Sequence, residues 1–274
     1  MVPYRHAGRG SGAVPTQTGP PGSMSSGPGT LRRPKETSAP PGLSRRRPGQ
    51  PPSVAEPRIA VLDVDGTLVD SNYQHAMAWY RALRSLGETF PIWRIHRLIG
   101  MGGDQLLPTL AGDEVEARIG DEARERQGKE VDALLEEIAP LPGARDLLLA
   151  IKERGHRLVL ASSGQQRHVD FALDLLDARD IADDWTSSAD ADATKPAPDL
   201  LQVALNKLGA EKDTPSVMIG DSPFDIEAAK NAGMPAIAVR SGGFGDDELK
   251  DAGAIGIYDT PGDLAADLDS LDLD

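Results

Sequence analysis

A chain of 274 residues with no internal repeat has room for one or two domains, and the absence of cysteine excludes disulfides, thiolate metal sites and cysteine nucleophiles. The net charge of −14 is unevenly held: residues 1–57 carry eight Lys or Arg and two acids, which leaves −20 for the rest. That acidic remainder argues against nucleic acid as the main ligand, because a phosphate backbone demands basic surface. No run of about 18 apolar residues occurs, so the sequence offers no membrane-spanning helix.

Residues 1–57 are dominated by Gly, Pro, Ser and Arg without apolar periodicity. Such a stretch buries too little surface to offset its conformational entropy, so it is expected to be a disordered tail. It has no apolar core of a secretory signal, and its prolines and glycines oppose the amphipathic helix of an organelle transit peptide. A second reading stays open, in which the native chain starts further on, near Met24 or Val54.

From Arg58 onward, apolar strand candidates alternate with helical patterns. The strands are expected at Ile59–Val64, Arg157–Ala161, Val217–Gly220, Ala236–Val239 and Ala254–Tyr258, with a weaker one near Trp185. Helical patterns fall at Ala144–Arg154, Gln165–Leu176, Asp199–Leu208 and Asp225–Ala232. This rhythm, with strands that are continuous apolar runs, indicates a parallel sheet covered on both faces.

One interval departs from it. Asp70 to Pro142 has no good strand but three helical segments: Tyr73–Leu86, Pro91–Leu107 (broken by Gly100, Gly102 and Gly103) and Asp113–Ile138. The expectation is an α/β, Rossmann-like, doubly wound core over residues 58–70 and 142–274, with a small helical cap inserted at residues 71–141. Pro140-Leu141-Pro142-Gly143 reads as the hinge where the chain returns to the sheet.

In an open parallel sheet, ligands bind beyond the carboxyl ends of the strands. Four strand ends carry useful groups: Asp63-Val64-Asp65-Gly66-Thr67, Ser162-Ser163-Gly164, Lys195-Pro196 after the weak strand, and Gly220-Asp221-Ser222. Strand alternation points Asp63 and Asp65 to one side, and neighbouring carboxylates repel unless a cation sits with them. With Asp221 they make an all-oxygen set that suits Mg²⁺. Beside it, Lys195, Ser162 and free backbone N–H groups suit a phosphoryl group. A carboxylate is then a credible nucleophile, with a second acid two residues on to move the protons.

Asp63–Asp70 (DVDGTLVD), Leu158–Ser163 (LVLASS), Thr194–Asp199 (TKPAPD) and Ile219–Ile226 (IGDSPFDI) together resemble the haloacid dehalogenase-like hydrolase superfamily, in order and across about residues 58–260. The helical insert is similar to the small cap of the phosphoglycolate phosphatase and β-phosphoglucomutase branch. The resemblance implies Asp63 as nucleophile and Asp65 as general acid/base. It implies Mg²⁺ held by the Asp63 carboxylate, the Asp65 carbonyl and Asp221, with Asp225 acting directly or through water. Ser162 matches the phosphate-binding residue and Lys195 the lysine that holds nucleophile and phosphate. Thr67 falls in the turn beside the nucleophile, and Thr67 and Ser163 complete the substrate-binding expectation.

Plainer readings compete at several positions. Ser222-Pro223-Phe224-Asp225 is a good helix start, which could account for Asp225. Ser162 and Ser163 could cap the helix near Gln165. His75 matches a histidine near the active site in sugar-phosphate mutases and some phosphatases, although a helix-surface or core histidine is commoner. Arg94, His96 and Arg97 are candidates for an anionic leaving group, against the ordinary fate of solvated cations.

The expected function is a Mg²⁺-dependent phosphatase of a small phosphate monoester, phosphoglycolate- or sugar-phosphate-like, acting through an aspartyl-phosphate in the cytoplasm, with neither nucleic acid nor membrane as partner. The acid at Asp65 points away from dehalogenase chemistry. Lys129, the only cap lysine, is poorly placed for a phosphonatase Schiff base. A β-phosphoglucomutase-like mutase ranks second, because Ile99 stands where the mutases carry a lysine. A non-catalytic binding or regulatory protein on the same fold is the alternative of another class. Oligomeric state is not readable.

Overall fold

The computed structural model describes residues 58–211 and 214–270, so the expectations for residues 1–57 lie outside the described residues. Six parallel strands form the main sheet in the order β5-β4-β1-β6-β7-β8. They are β1 (Ile59–Leu62), β4 (Arg157–Ala161), β5 (Asp184–Thr186), β6 (Ser216–Gly220), β7 (Ala236–Val239) and β8 (Gly256–Tyr258). The chain steps outward from β1 through β4 to β5, then crosses to β6 on the other side of β1 and continues to β8. The reversal of direction falls between β1 and β6, where a parallel sheet opens a crevice beyond its strand ends.

The alternation of β1 shows why the sheet is covered twice. Ala60 and Leu62 enter one apolar cluster with α5 (Ala144–Glu153), α6 (Gln166–Leu175) and α10 (Pro261–Asp267). Ile59 and Val61 enter the opposite one with α7 (Asp199–Lys207), α8 (Pro223–Ala232) and α9 (Asp246–Ala252). Leu62 pairs in register with Leu160 on one side and Ile219 on the other, which brings the three motif-bearing strand ends level. Each fully buried Leu, Ile or Val contributes roughly 1.5–3 kcal/mol, so these faces hold the strand ends firmly.

Between β1 and α5, where three helices are expected, the described residues form four: α1 (Asn72–Ser85), α2 (Ile92–His96), α3 (Gly103–Ala111) and α4 (Asp113–Asp132). They share a third apolar cluster built on Trp79, Leu83, Ile95, Leu106, Leu107 and Ala123. A short antiparallel ladder, β2 (Val69–Asp70) with β3 (Ala139–Pro140), ties the chain where it leaves and re-enters the sheet layer. The periodicity misses this ladder, because two residues are too few to show alternation.

Element ends differ in instructive ways. β1 stops at Leu62 rather than Val64, since Asp63 onward turns away from the ladder. The Pro91–Leu107 pattern is two helices, and the second runs through Pro108 to Ala111, where Gly112 N–H donates to the Pro108 carbonyl at 2.8 Å. The last expected helix of the insert ends at Asp132 and gives way to a 3₁₀ turn at Leu135–Glu137.

Candidate active site

Asp63 follows β1 directly and keeps its backbone N–H bonded to the Ile219 carbonyl at 2.9 Å. The turn after it requires Gly66 at φ +79°, a backbone shape that L side chains resist; an added Cβ there would also overlap Asn72 and Asp221. Asp63 and Asp65 line one cavity of about 310 Å³, although not by the alternation expected for a strand. The turn brings them together instead, because β1 has already ended.

Lys195 Nζ is bonded to Asp63 Oδ1 and lies 2.8 Å from Asp225 Oδ1, and this lysine is fully buried. Asp63, Asp221 and Asp225 bring carboxylate oxygens within 4.8 Å of one another, and all three are buried. One lysine cannot balance three acids. Burial first, then the charges of Asp225 and Asp65, push the Asp63 carboxyl up to about 7 against the pull of Lys195. Burial first, then the charges of Asp225 and Asp63, raise Asp221 as well. Burial works against the charge on Lys195, but Asp225 and Asp63 outweigh it and hold the ammonium firmly protonated.

Asp65 differs in kind. It retains 24% side-chain exposure, accepts a bond from Ser71 Oγ at 2.7 Å and sits 3.0 Å from His75 Nε2. Burial alone would raise it, but the His75 charge and hydrogen bond, together with Ser71, bring it below the usual carboxylate range. His75 moves the opposite way: burial opposes its charge, and Asp65 overcomes that to raise it. Gln127 Nε2 lies 3.1 Å from His75 Nδ1 and steadies the ring from α4.

Ser162 lies at the end of β4, donates to Asp65 Oδ2 at 3.2 Å and accepts from Gly164 N–H at 2.9 Å. Neither Ser162 nor Ser163 caps α6, whose N-cap is Gln165 without a side-chain bond. Ser163 lines the cavity with its buried hydroxyl unpartnered, ready for a ligand acceptor or donor. Thr67 is wholly buried and donates to Asp221 Oδ1 at 2.9 Å, so its hydroxyl serves the carboxylates rather than the cavity. At Asp225 both readings hold together. Its Oδ2 accepts from Ser222 N–H and Oγ in a capping box, while Oδ1 faces Lys195.

The expected leaving-group cations are elsewhere. Arg97 is paired with Glu248 and stacked on Phe244, His96 stacks on Tyr73, and neither these two nor Arg94 lines the cavity. Instead the cavity walls include Trp79, Ile99, Met101, Asp104, Arg124 and Asp192. Sequence reading also missed Asn72, whose amide donates to Asp221 Oδ2 at 2.8 Å, and Ser71. Both directly follow the DVDGTLVD motif, which was the available signal.

The architecture can be set beside known proteins. The haloacid dehalogenase-like hydrolase family model matches residues 57–233. A protein of Dickeya dadantii described as the probable phosphatase IndB is 32% identical over 209 residues, covering 74% of this chain and 89% of the relative. A phosphoglycolate phosphatase of Rhodospirillum rubrum is 28% identical over 213 residues, covering 74% and 87%. Among solved structures, a hydrolase from Pseudomonas syringae is 32% identical, with a TM-score of 0.73 over 77% of this chain and 98% of that one. By family model, sequence and fold alike, this chain belongs to the haloacid dehalogenase-like hydrolases.

Proposed function

We propose that this hydrolase is a Mg²⁺-dependent phosphatase that removes phosphate from a small monoester through an aspartyl-phosphate on Asp63. The phosphatase relatives support the reaction class. The observation that carries the reading is the buried arrangement of Asp63, Asp221 and Asp225 around Lys195, opening on a cavity that Asp65 shares.

Three buried carboxylates with a single lysine are under-neutralised, and their all-oxygen donor set fits a hard divalent cation better than zinc or copper. Asp63 and Asp221 would hold it, with the Asp65 carbonyl, and Asp225 would contribute directly or through water. Such an ion supplies charge neutralisation for the phosphoryl oxygens.

Lys195 holds the Asp63 carboxylate in place, and its charge favours approach of the phosphoryl group. Asp63 Oδ attacks phosphorus while the leaving oxygen takes a proton through Asp65 from the protonated His75 bonded to it, and the pair later accepts one from the hydrolytic water. Ser71 and His75 fix the Asp65 carboxylate for both transfers. Ser162, Ser163 and Gly164 close the phosphate side. The helical insert serves as the cap over this site, and its residues contact the leaving group. A mutase ranks below this reading, because Ile99 rather than a lysine lines the cavity. No helix among the described residues is long and apolar enough to cross a membrane.

The test is turnover of a generic aryl phosphate. The native protein is expected to hydrolyse it with Mg²⁺ and to stop in excess chelator, and Asp63→Asn is expected to be inactive with an unchanged circular dichroism spectrum. Full activity in Asp63→Asn would refute the reading.

A further inference from the structure

The cavity's charge inventory bears on what leaves with the phosphate. Among the described residues, every group lining it that can carry positive charge is already held by a carboxylate. His75 is bound to Asp65 and His168 to Asp132, and Lys195 beneath them is bound to Asp63 and Asp225. Arg124, the one arginine among the described residues of the wall, is the most heavily occupied. Its guanidinium donates to Glu116 Oε1 and Oε2 at 2.8 and 3.1 Å, to Asp121 Oδ1 at 2.8 Å and to the Gly103 carbonyl at 3.3 Å.

The Arg124–Glu116 pair has its own structural device. Both residues lie on α4, two turns apart, with Gly120 between them on the same face. A Cβ at Gly120 would stand 2.5 Å from Glu116 Oε1 and 2.7 Å from its Cδ. Glycine in a helix interior is costly, and here its missing side chain is what lets the Glu116 carboxylate reach along the helix to Arg124. Asp121, by contrast, is fully exposed, where an ion pair is worth little. Glu116 is therefore the partner that neutralises the arginine.

Two further acids, Asp104 and Asp192, line the same cavity. Asp104 accepts from Thr194 N–H at 3.1 Å and from the Thr194 hydroxyl, neutral donors that leave its negative charge uncompensated. A leaving group with its own carboxylate or second phosphate would meet acids and no spare cation. Gln127, Gln165 and Ser188 offer neutral donors and acceptors, and Trp79 offers an apolar face.

Building on the phosphatase reading, we propose that Glu116, by holding Arg124, sets the site's specificity for phosphate esters whose leaving group is an uncharged, hydroxyl-bearing alcohol, against those carrying a second anionic group. Arg124 touches the leaving group; Glu116 and Gly120 act through it.

The test compares kcat/KM for sorbitol 6-phosphate and for 2-phosphoglycolate, with an aryl phosphate as reference. In the native enzyme the neutral polyol ester is expected to be favoured at least about tenfold, a lower bound on the cost of one like-charge contact. Glu116→Gln is expected to shrink that ratio about tenfold or more, chiefly by lowering KM for phosphoglycolate. Gly120→Ala is expected to shift it in the same direction while raising Tm, since alanine favours the helix. Aryl phosphate hydrolysis together with preferred phosphoglycolate in the native enzyme, or a ratio unmoved in both variants, would overturn this inference alone. No hydrolysis of the aryl phosphate would overturn the phosphatase reading and the inference with it.

Discussion

Lys195 Nζ lies 2.8 Å from Asp225 Oδ1, and both side chains are only 1% exposed. The same ammonium is bonded to Asp63, so one buried cation serves two acids that also face Asp221. Removing it leaves several carboxylates without compensation, and breaking a buried pair this way costs about 3–5 kcal/mol. Lys195→Met is therefore expected to lower Tm in chelator by roughly 6–20 °C, as well as to abolish turnover. A variant that melts with the native protein in chelator would contradict this account of the cluster.

Asp225 has two duties that separate by substitution. Asn at this position still accepts from Ser222 N–H and so keeps the start of α8, but it removes one negative charge from the cluster. Asp225→Asn turns an amide toward the Lys195 ammonium in place of Oδ1, so it is expected to lower Tm in chelator by less than Lys195→Met does, and to raise the Mg²⁺ concentration for half-maximal activity roughly 10–100-fold. Asp225→Ala loses the cap as well, at a further cost of about 1 kcal/mol. A Mg²⁺ requirement unchanged in Asp225→Asn would assign this residue to the helix alone.

Metal binding at the raised acids would depend on pH in a definite direction. Asp63 has a folded pKa of about 7 against 3.8 unfolded, so the folded protein binds the extra proton between these values and loses stability as pH rises through them. Raised Asp221 acts in the same direction. Half-buried His96 and His156 and buried His168, each held low by desolvation, act in the opposite direction whether or not metal is present. The informative quantity is therefore the difference in Tm between Mg²⁺ and chelator. Protons compete with the ion for Asp63 and Asp221, so this difference is expected to be larger at pH 8 than at pH 5.5. A difference that is flat, or larger at the lower pH, would argue against these carboxylates as the binding set.

Three of the motifs are legible in sequence because a buried parallel strand is apolar throughout, so Asp63, Ser162 and Asp221 stand out where the apolar run stops. The sheet's two-sided burial is legible for the same reason. Arg124 and Gln127 are not, since each lies within a long polar helix and reaches the cavity only through the packing of α4 on α1 and α3. Arg94, His96 and Arg97 attract notice by their local charge, yet a helix face is assigned by its partners, and Glu248 and Phe244 turn Arg97 away from the cavity. Pro108 marks a plausible helix end by sequence, but Leu106, Leu107 and Leu110 are all buried and carry α3 past it.

The central claim is that Asp63 is the attacking group, and the most direct measurement is to catch its product. The enzyme with Mg²⁺ is mixed with a ³²P-labelled aryl phosphate, quenched in acid within milliseconds, and digested for peptide mapping. The expected result is a hydroxylamine-labile acyl phosphate on the peptide containing Asp63, absent from Asp63→Asn. Rapid phosphate release with no covalent label, or label on any other residue, would contradict it.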